Sequence, residues 1–144
     1  TIDVLPTVAK LIGADLPQRR IDGRDIWPLV VGEAGARSPH EAYYLYYGRQ
    51  LQAVRAGRYK LHFPHPYRTL NGRRGGTGGR PVPYDQAEIG SALFDLEVDP
   101  GETRDVRDAH PEVVARLSQL AEVMRADLGD RGRRGAGERA PGRL

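Results

Sequence analysis

One short segment of the chain concentrates side chains that bind anions. The residues from His62 to Arg68 (HFPHPYR) bring two imidazoles, a phenol and a guanidinium together within seven positions. Arginine presents a planar fork of N–H donors that matches the oxygen atoms of sulfate and carboxylate groups. We therefore predict that His65, Tyr67 and Arg68 contact a ligand. The alternative is a solvated loop whose polar residues bind nothing.

The remaining polar residues predict neither a catalytic centre nor a metal site. The four histidines show no pair at the i, i+4 spacing of a helical metal site. Asp95, Asp99 and Glu102 are close in sequence, but Asp99-Pro100-Gly101 is typical of an ordinary turn. No serine lies in a nucleophile-elbow context. We assign no catalytic residue and no metal ligand to this chain.

The basic charge is unevenly distributed. The net charge is +3, yet residues 131–144 alone hold five arginines and one acidic residue. The segment 73–80 (RRGGTGGR) resembles arginine- and glycine-rich nucleic-acid-binding sequences, but it lacks aromatic residues for base stacking. A basic domain that binds polyanions or nucleic acid is therefore only the alternative interpretation. Under the preferred interpretation, no nucleic-acid partner is expected. No apolar run approaches the roughly 20 residues that cross a bilayer.

The elements that must position these residues follow from hydrophobic periodicity and turn signals. The pattern predicts a helix over residues 1–13 that ends at Gly13, and an irregular crossing over 14–41. Strands are predicted at 42–47, 50–55, 58–63 and 92–96, and a helix at 111–128. Ala56-Gly57 predicts the turn of a hairpin.

Within the strand at 58–63 the alternation separates two faces. Tyr59, Leu61 and Phe63 face one side, whereas Lys60 and His62 face solvent or a ligand. Residues 64–91 are predicted to form a long loop, and loops of that length are usually functional or disordered. The fold class is α+β, with a small four-stranded antiparallel sheet packed against one long carboxy-terminal helix. A short helix and an irregular crossing segment precede the sheet.

Five segments, in this order, resemble the carboxy-terminal part of sulfatases of the arylsulfatase type. These segments are Ile2–Thr7, Ile21–Leu29, Ala53–Leu61, Leu93–Thr103 and His110–Val113. The loop at 64–72 (PHPYRTLNG) resembles a subset of bacterial sulfatases, many of which act on sulfated sugars. The resemblance divides the chain into the end of a catalytic domain (1–41), a carboxy-terminal sulfatase subdomain (42–129) and a basic tail (130–144), which its composition predicts to be disordered.

The resemblance implies a sulfuric ester hydrolase that removes sulfate from sulfated sugars or aryl sulfates. In that family the nucleophile is a formylglycine made from Cys or Ser, and calcium neutralises the sulfate oxygens. The formylglycine and the calcium ligands both lie upstream of Thr1 in the family's order, so neither cofactor is expected in this chain. Activity of this segment alone is therefore not expected. The segment is expected to pack on an amino-terminal catalytic domain, with no membrane contact. A periplasmic or secreted location follows from resemblance only. A stand-alone carbohydrate-recognition or structural domain is a further alternative.

Overall fold

The computed structural model describes residues 1–140, which form two compact units, Thr1–Glu41 and a second unit that begins at Ala42. The first unit contains helix α1 (Val4–Ile12) and a single helical turn, α2 (Trp27–Val30). Helix α1 ends because Gly13 adopts a left-handed conformation with φ of 66°, which glycine tolerates best. The predicted helix over 1–13 is confirmed, and α2 is the one regular element of the crossing segment.

Asp3 organises the first unit from the start of α1. Its carboxylate accepts a hydrogen bond from the backbone N–H of Arg24 at 2.8 Å and lies 2.7 Å from His40 Nε2. Burial raises the pKa of Asp3, but these two partners outweigh burial and lower the pKa overall. Thr7 adds a second connection, because its Oγ1 accepts from Ile26 N at 3.0 Å. The crossing segment is therefore ordered by polar contacts to α1.

The second unit contains two sheets and a long helix. Four strands form an antiparallel sheet in the order β1-β2-β3-β6, and two more form a separate antiparallel pair, β4-β5. The strands are β1 (Tyr43–Tyr47), β2 (Gln50–Ala56), β3 (Tyr59–His62), β4 (His65–Thr69), β5 (Asp85–Ile89) and β6 (Ala92–Asp95). The helix α3 (Pro111–Leu128) follows β6 and a short 3-10 turn. This architecture confirms the predicted α+β fold.

The core lies between α3 and one face of the four-stranded sheet. Register places Val54, Leu61 and Leu93 side by side on three strands, and each is at most 1% exposed. Leu117 and Ala121 cover them from α3. Burial of a Leu or Val side chain stabilises the fold by about 1.5–3 kcal/mol. The apolar alternation predicted for 58–63 is confirmed, since Tyr59, Leu61 and Phe63 all belong to this cluster.

The structure corrects two details of the hairpins. Ala56 pairs with Tyr59, so the turn is Gly57-Arg58 rather than Ala56-Gly57. Gly57 has φ of 58°, which a two-residue hairpin turn requires at its first position. Residues 64–91 are not an irregular loop throughout, because β4 and β5 pair along their whole length. The sequence did not predict this hairpin because it contains Pro66, and proline argues against a strand unless the strand lies at a sheet edge.

Part of the glycine- and arginine-rich segment after α3 packs against the end of that helix. The backbone N–H groups of Ala136 and Gly137 donate to Ala126 O and Asp127 O at 2.8 and 2.7 Å. A Cβ on Gly135 would lie 2.2 Å from Asp127 O, so this close approach requires glycine. The composition of 130–144 predicts disorder, whereas residues 130–140 fold back onto the end of α3. Residues 141–144 lie outside the described residues.

Within residues 1–140, no helix combines the length and the apolar character that a bilayer crossing requires.

Candidate functional site

Two polar features lie beside the core of the second unit, and the first is a half-buried cluster around Glu102. Lys60 Nζ donates to Glu102 Oε1 at 2.6 Å, and His62 Nε2 lies 2.7 Å from Glu102 Oε2. Lys60 and His62 share a face of β3 because they are two residues apart. Alternation predicts that Lys60 and His62 face solvent or a ligand, but in the structure both contact the carboxylate of Glu102.

Backbone strain accompanies this arrangement. Glu102 has φ of 54°, a left-handed conformation that is uncommon for a residue with a Cβ. Such conformations persist when the surroundings fix them, and here hydrogen bonds from Lys60 and His62 fix the carboxylate. Burial raises the pKa of Glu102, but Lys60 and His62 more than offset burial, so the pKa is lowered overall. Glu102 is therefore an ionised anchor of the β6–α3 connection.

His62 is held in its neutral form. Burial is the main cause that lowers its pKa, and the Lys60 ammonium adds to it, while Glu102 opposes both. Because Glu102 accepts from Nε2, the other ring nitrogen carries the lone pair, and that buried Nδ1 has no partner among the described residues. The ring stacks on His65 with centroids 5.4 Å apart. His65 in turn donates from Nδ1 to Phe63 O at 2.6 Å.

The second feature is a cleft of about 730 Å³ on the surface of the second unit. It lies between the β1–β2 turn, strands β4 and β5, and the segment that follows α3. Its lining residues are Tyr47, Gly48, Arg49, Gln50, Gln52, Pro66, Tyr67, Arg68, Gln86 and Arg131. This volume falls within the usual range of small-molecule sites, about 300–1,000 Å³. The cleft therefore has room for a ligand much larger than a single inorganic anion.

The electrostatic character of the cleft is cationic. Three arginines line it, and none of its described lining residues is acidic. Arg68 and Arg131 form no side-chain ion pair within residues 1–140, whereas Arg49 pairs with Glu138 at 2.8 Å. Unpaired guanidinium groups in a concave site attract anions and can bind them with two parallel hydrogen bonds.

The structure separates the three residues that the sequence groups as ligand contacts. Tyr67 and Arg68 both line the cleft. His65 is only 8% exposed, because its ring stacks on His62 in the cluster around Glu102. It therefore attaches the start of β4 to that cluster. Two of the three predicted residues are thus brought together, and the third lies beside them without reaching the cleft.

Residues 38–133 match the family described as the C-terminal region of aryl-sulfatase. The chain belongs to the sulfatase family. It is 34% identical over 141 residues to human (Homo sapiens) arylsulfatase A, an alignment that covers 89% of this chain and 26% of that protein. It is 38% identical over 141 residues to mouse (Mus musculus) steryl-sulfatase, covering 88% of this chain and 22% of that protein. The chain therefore spans about a quarter of the length of these relatives.

Solved structures share the fold. A sulfatase from Pseudoalteromonas sp. superposes with a TM-score of 0.61 at 17% identity, covering 85% of this chain and 24% of that one. A chain from a study of glycosaminoglycan metabolism by Bacteroides thetaiotaomicron gives a TM-score of 0.58 at 22% identity, with the same coverage. The small sheet with its helix is therefore a fold that this chain shares with sulfatases.

Sequence reasoning missed most of the residues that line the cleft in this sulfatase region. Tyr47 comes from the end of β1, Arg49 from the β1–β2 turn, Gln86 from β5 and Arg131 from beyond α3. No local motif links positions so far apart in sequence. One signal was available, because Gly48-Arg49 interrupts a tyrosine-rich strand, and turn residues at strand ends often carry function.

The acidic residues near Glu102 have separate partners. Asp95 accepts from Arg58 Nε at 2.6 Å, and Asp99 accepts from the backbone N–H groups of Thr103 and Arg104, both at 2.8 Å. The hydrogen bond from Arg58 is the main cause that lowers the pKa of Asp95. Among the described residues, no three His, Cys, Asp or Glu side chains converge to hold a metal ion. These carboxylates therefore serve turns and ion pairs.

Proposed function

We propose that this chain is the carboxy-terminal part of a sulfuric ester hydrolase that removes sulfate from sulfated sugars or aryl sulfates. Its part is to complete the fold and to supply one side of the substrate cleft. The observation that carries the proposal is the cleft that contains Tyr67 and Arg68, and that no described acidic residue lines, in a chain that belongs to the sulfatase family. Several relatives are named arylsulfatase or steryl-sulfatase, which supports sulfate esters as the substrate class.

The chemistry of ester cleavage would come from elsewhere in the enzyme. The family's calcium ion requires several converging oxygen ligands. The described carboxylates do not converge, so they do not fit such a site. We therefore propose that calcium and the formylglycine nucleophile belong to an amino-terminal catalytic domain, and we derive no step of the reaction from this chain's residues.

The apolar face of α1 supports packing on such a domain. Val4, Leu5, Val8, Leu11 and Ile12 are between 47% and 71% exposed. A row of large aliphatic side chains in contact with water is unfavourable, at about 25 cal/mol per Å² of apolar surface. The relatives are about four times as long as this chain. We propose that the additional domain covers this face in the intact enzyme.

Within the substrate cleft, Arg68 and Tyr67 would act by binding. Contacts to substrate groups remote from the reacting ester hold that ester in place, and this raises kcat/KM for substrates that possess such groups. A small aryl sulfate lacks further anionic groups. The contribution of Arg68 should therefore depend on the substrate.

The test is Arg68→Ala and Tyr67→Ala in the intact enzyme, assayed on a sulfated sugar and on a small aryl sulfate. Loss of a charge-assisted hydrogen bond costs about 1.5–3 kcal/mol, or roughly 10- to 150-fold in kcat/KM on the sugar. The loss on the aryl sulfate should be several-fold smaller. Arg116→Ala is the matched control, because Arg116 is exposed on α3 and does not line the cleft.

Equal losses on both substrates would assign Arg68 to folding instead of binding. An enzyme that hydrolyses no sulfate ester, with its fold intact and calcium present, would contradict the proposed activity itself. Salt-sensitive binding of single-stranded RNA that depends on Arg68, without any esterase activity, would favour the polyanion-binding alternative.

A further inference from the structure

We infer that the cleft binds an acidic carbohydrate segment longer than one sugar unit, and that the β1–β2 turn with Arg131 forms a second anion-binding wall opposite β4. The inference deepens the proposed function and rests on it for the class of substrate. It adds Tyr47, Arg49 and Arg131 as binding residues and predicts that affinity depends on chain length.

The arrangement of charge suits a ligand with more than one anionic group. Arg68 belongs to β4, whereas Arg131 follows α3, and both guanidinium groups lack ion pairs within residues 1–140. A guanidinium fork can bind one sulfate or carboxylate with two parallel hydrogen bonds. Two arginines on separate elements can therefore each bind an anionic group of their own, as the consecutive units of an acidic glycan provide.

The uncharged lining suits sugar rings. Tyr47 is 69% exposed and Tyr67 is 43% exposed, so two aromatic rings at the cleft are open to solvent. Aromatic rings offer a large apolar surface on which the C–H face of a sugar can pack. Gln50, Gln52 and Gln86 add amides that both donate and accept hydrogen bonds, as hydroxyl groups require.

The second wall is fixed by anchors beneath it. The Tyr46 hydroxyl donates to Gly129 O at 2.8 Å, which connects β1 to the end of α3. Asp130 accepts from Leu51 N at 3.1 Å through Oδ1 and from Arg125 Nε at 2.6 Å through Oδ2. These contacts flank Arg131 and the β1–β2 turn, so both are held before a ligand arrives. A preorganised site loses less entropy on binding.

One acidic residue limits the charge of this wall. Arg49 donates from Nη2 to Glu138 Oε1, so its guanidinium is shared between a carboxylate and the cleft. Both side chains reach solvent, with 72% and 24% of their surface exposed. Arg49 can therefore turn toward a ligand at small cost, because solvent-exposed ion pairs contribute little to stability.

The experiment measures binding to the intact enzyme by titration calorimetry at fixed ionic strength. The probes are a chondroitin sulfate disaccharide, the corresponding tetrasaccharide, the desulfated tetrasaccharide, sodium sulfate and single-stranded poly(U). We expect the tetrasaccharide to bind at least about tenfold more tightly than the disaccharide, which corresponds to one additional charge-assisted contact. Desulfation should weaken binding, and sodium sulfate should compete only weakly.

The decisive variants are Arg131→Ala, Arg131→Lys and Tyr47→Ala, with Arg116→Ala as the control. Arg131→Ala should reduce the affinity for the tetrasaccharide about tenfold or more and should remove most of the dependence on length. Arg131→Lys should recover part of the loss, because a lysine retains the charge without the fork. Thermal unfolding of each variant separates loss of binding from loss of fold.

The inference is overturned if folded Arg131→Ala and Arg116→Ala enzymes bind the tetrasaccharide equally, or if disaccharide and tetrasaccharide bind alike. Poly(U) binding as tight as that of the tetrasaccharide would replace the glycan with a general polyanion site. None of these results would affect hydrolysis of an aryl sulfate by the wild-type enzyme. Absence of that hydrolysis would instead contradict the proposed function.

Discussion

Arg49 and Glu138 form an ion pair of 2.8 Å across 89 positions of sequence, and this pair joins the β1–β2 turn to the segment that follows α3. The pair sits at the edge of the cleft, because Arg49 lines the cleft and Glu138 does not. It therefore determines how much of the Arg49 charge is available to a ligand.

Glu138→Gln is expected to tighten anion binding while leaving stability nearly unchanged. The amide frees the Arg49 guanidinium, whereas the exposed pair contributes at most about 1 kcal/mol to folding. Calorimetric titration with the sulfated tetrasaccharide and thermal unfolding measure the two effects. Glu97→Gln, at an exposed glutamate outside the cleft, is the control. Weaker binding by Glu138→Gln would show that the carboxylate holds Arg49 in its binding position.

Replacement of Glu102 is expected to be costly. Glu102→Gln leaves Lys60 and His62 without their anionic partner, although these side chains are only 17% and 12% exposed. The expected destabilisation is about 1–3 kcal/mol, because a buried polar group loses its partner. Glu102→Gly separates strain from charge, since glycine adopts the positive φ freely but lacks the carboxylate. A Glu102→Gln protein as stable as the wild type would show that the charge of the carboxylate contributes nothing to folding.

His62 should make folding sensitive to mild acid. Its pKa is lowered below the ordinary value of 6.5, mainly by burial and then by Lys60. The unfolded chain therefore binds a proton at a higher pH than the folded protein does. Stability from the neutral ring is complete above pH 6.5 and declines as the pH falls toward the lowered pKa.

Denaturant unfolding between pH 7.5 and pH 5 measures this slope. His62→Gln should flatten it, because the titrating group is absent. His110→Gln is the control, since His110 is more exposed and its ring contacts Tyr59 at the start of α3. Parallel slopes in the wild type and in His62→Gln would contradict the assignment and direct attention to other titrating groups.

Gly135 and Gly137 should not accept alanine. A Cβ at Gly135 would lie 2.3 Å from Gly129 N, and one at Gly137 would lie 1.9 Å from Asp127 Oδ1. The Gly135 clash involves backbone atoms, so it should be the more damaging, whereas the Asp127 side chain can move. Gly75→Ala is the control, because nothing lies within 4 Å of its Cβ position.

Hydrogen exchange at the Ala136 and Gly137 amides measures the effect of these variants locally. Their protection should fall in Gly135→Ala, while amides of β2 and β3 in the core change little. Unchanged protection at Ala136 would mean that the contact with Ala126 O does not depend on close approach of Gly135.

Local patterns were sufficient to predict most of the fold. The apolar stripe that includes Leu117 predicts α3, and the alternation around Leu61 predicts the strand that packs against this helix. Each of these two signals is contained in its own short segment of sequence. The β4–β5 hairpin escaped prediction because Pro66 and Arg68 lack the apolar alternation of a strand. Its pairing depends on partners about 20 residues away.

The cleft was harder to predict than the fold. Tyr67 and Arg68 lie in one short polar segment that the sequence displays, and their binding role stays a prediction, whereas Arg131 reaches the cleft only through the tertiary contacts of Asp130. The packing of residues 135–137 against α3 was missed for a different reason. A glycine-rich composition predicts conformational freedom, whereas Gly135 allows close packing against the end of α3.

That packing has a consequence for proteolysis. The segment after α3 offers trypsin several arginines, and a free chain of this composition would be cut quickly. In the folded protein, the peptide bonds around Gly135 lie against the end of α3 and must detach before a protease can bind them. Cleavage there reports how often the segment opens, provided that closing is faster than cutting. A product cut after Arg134 would lack Glu138, so limited digestion would release Arg49 from its partner without any mutation.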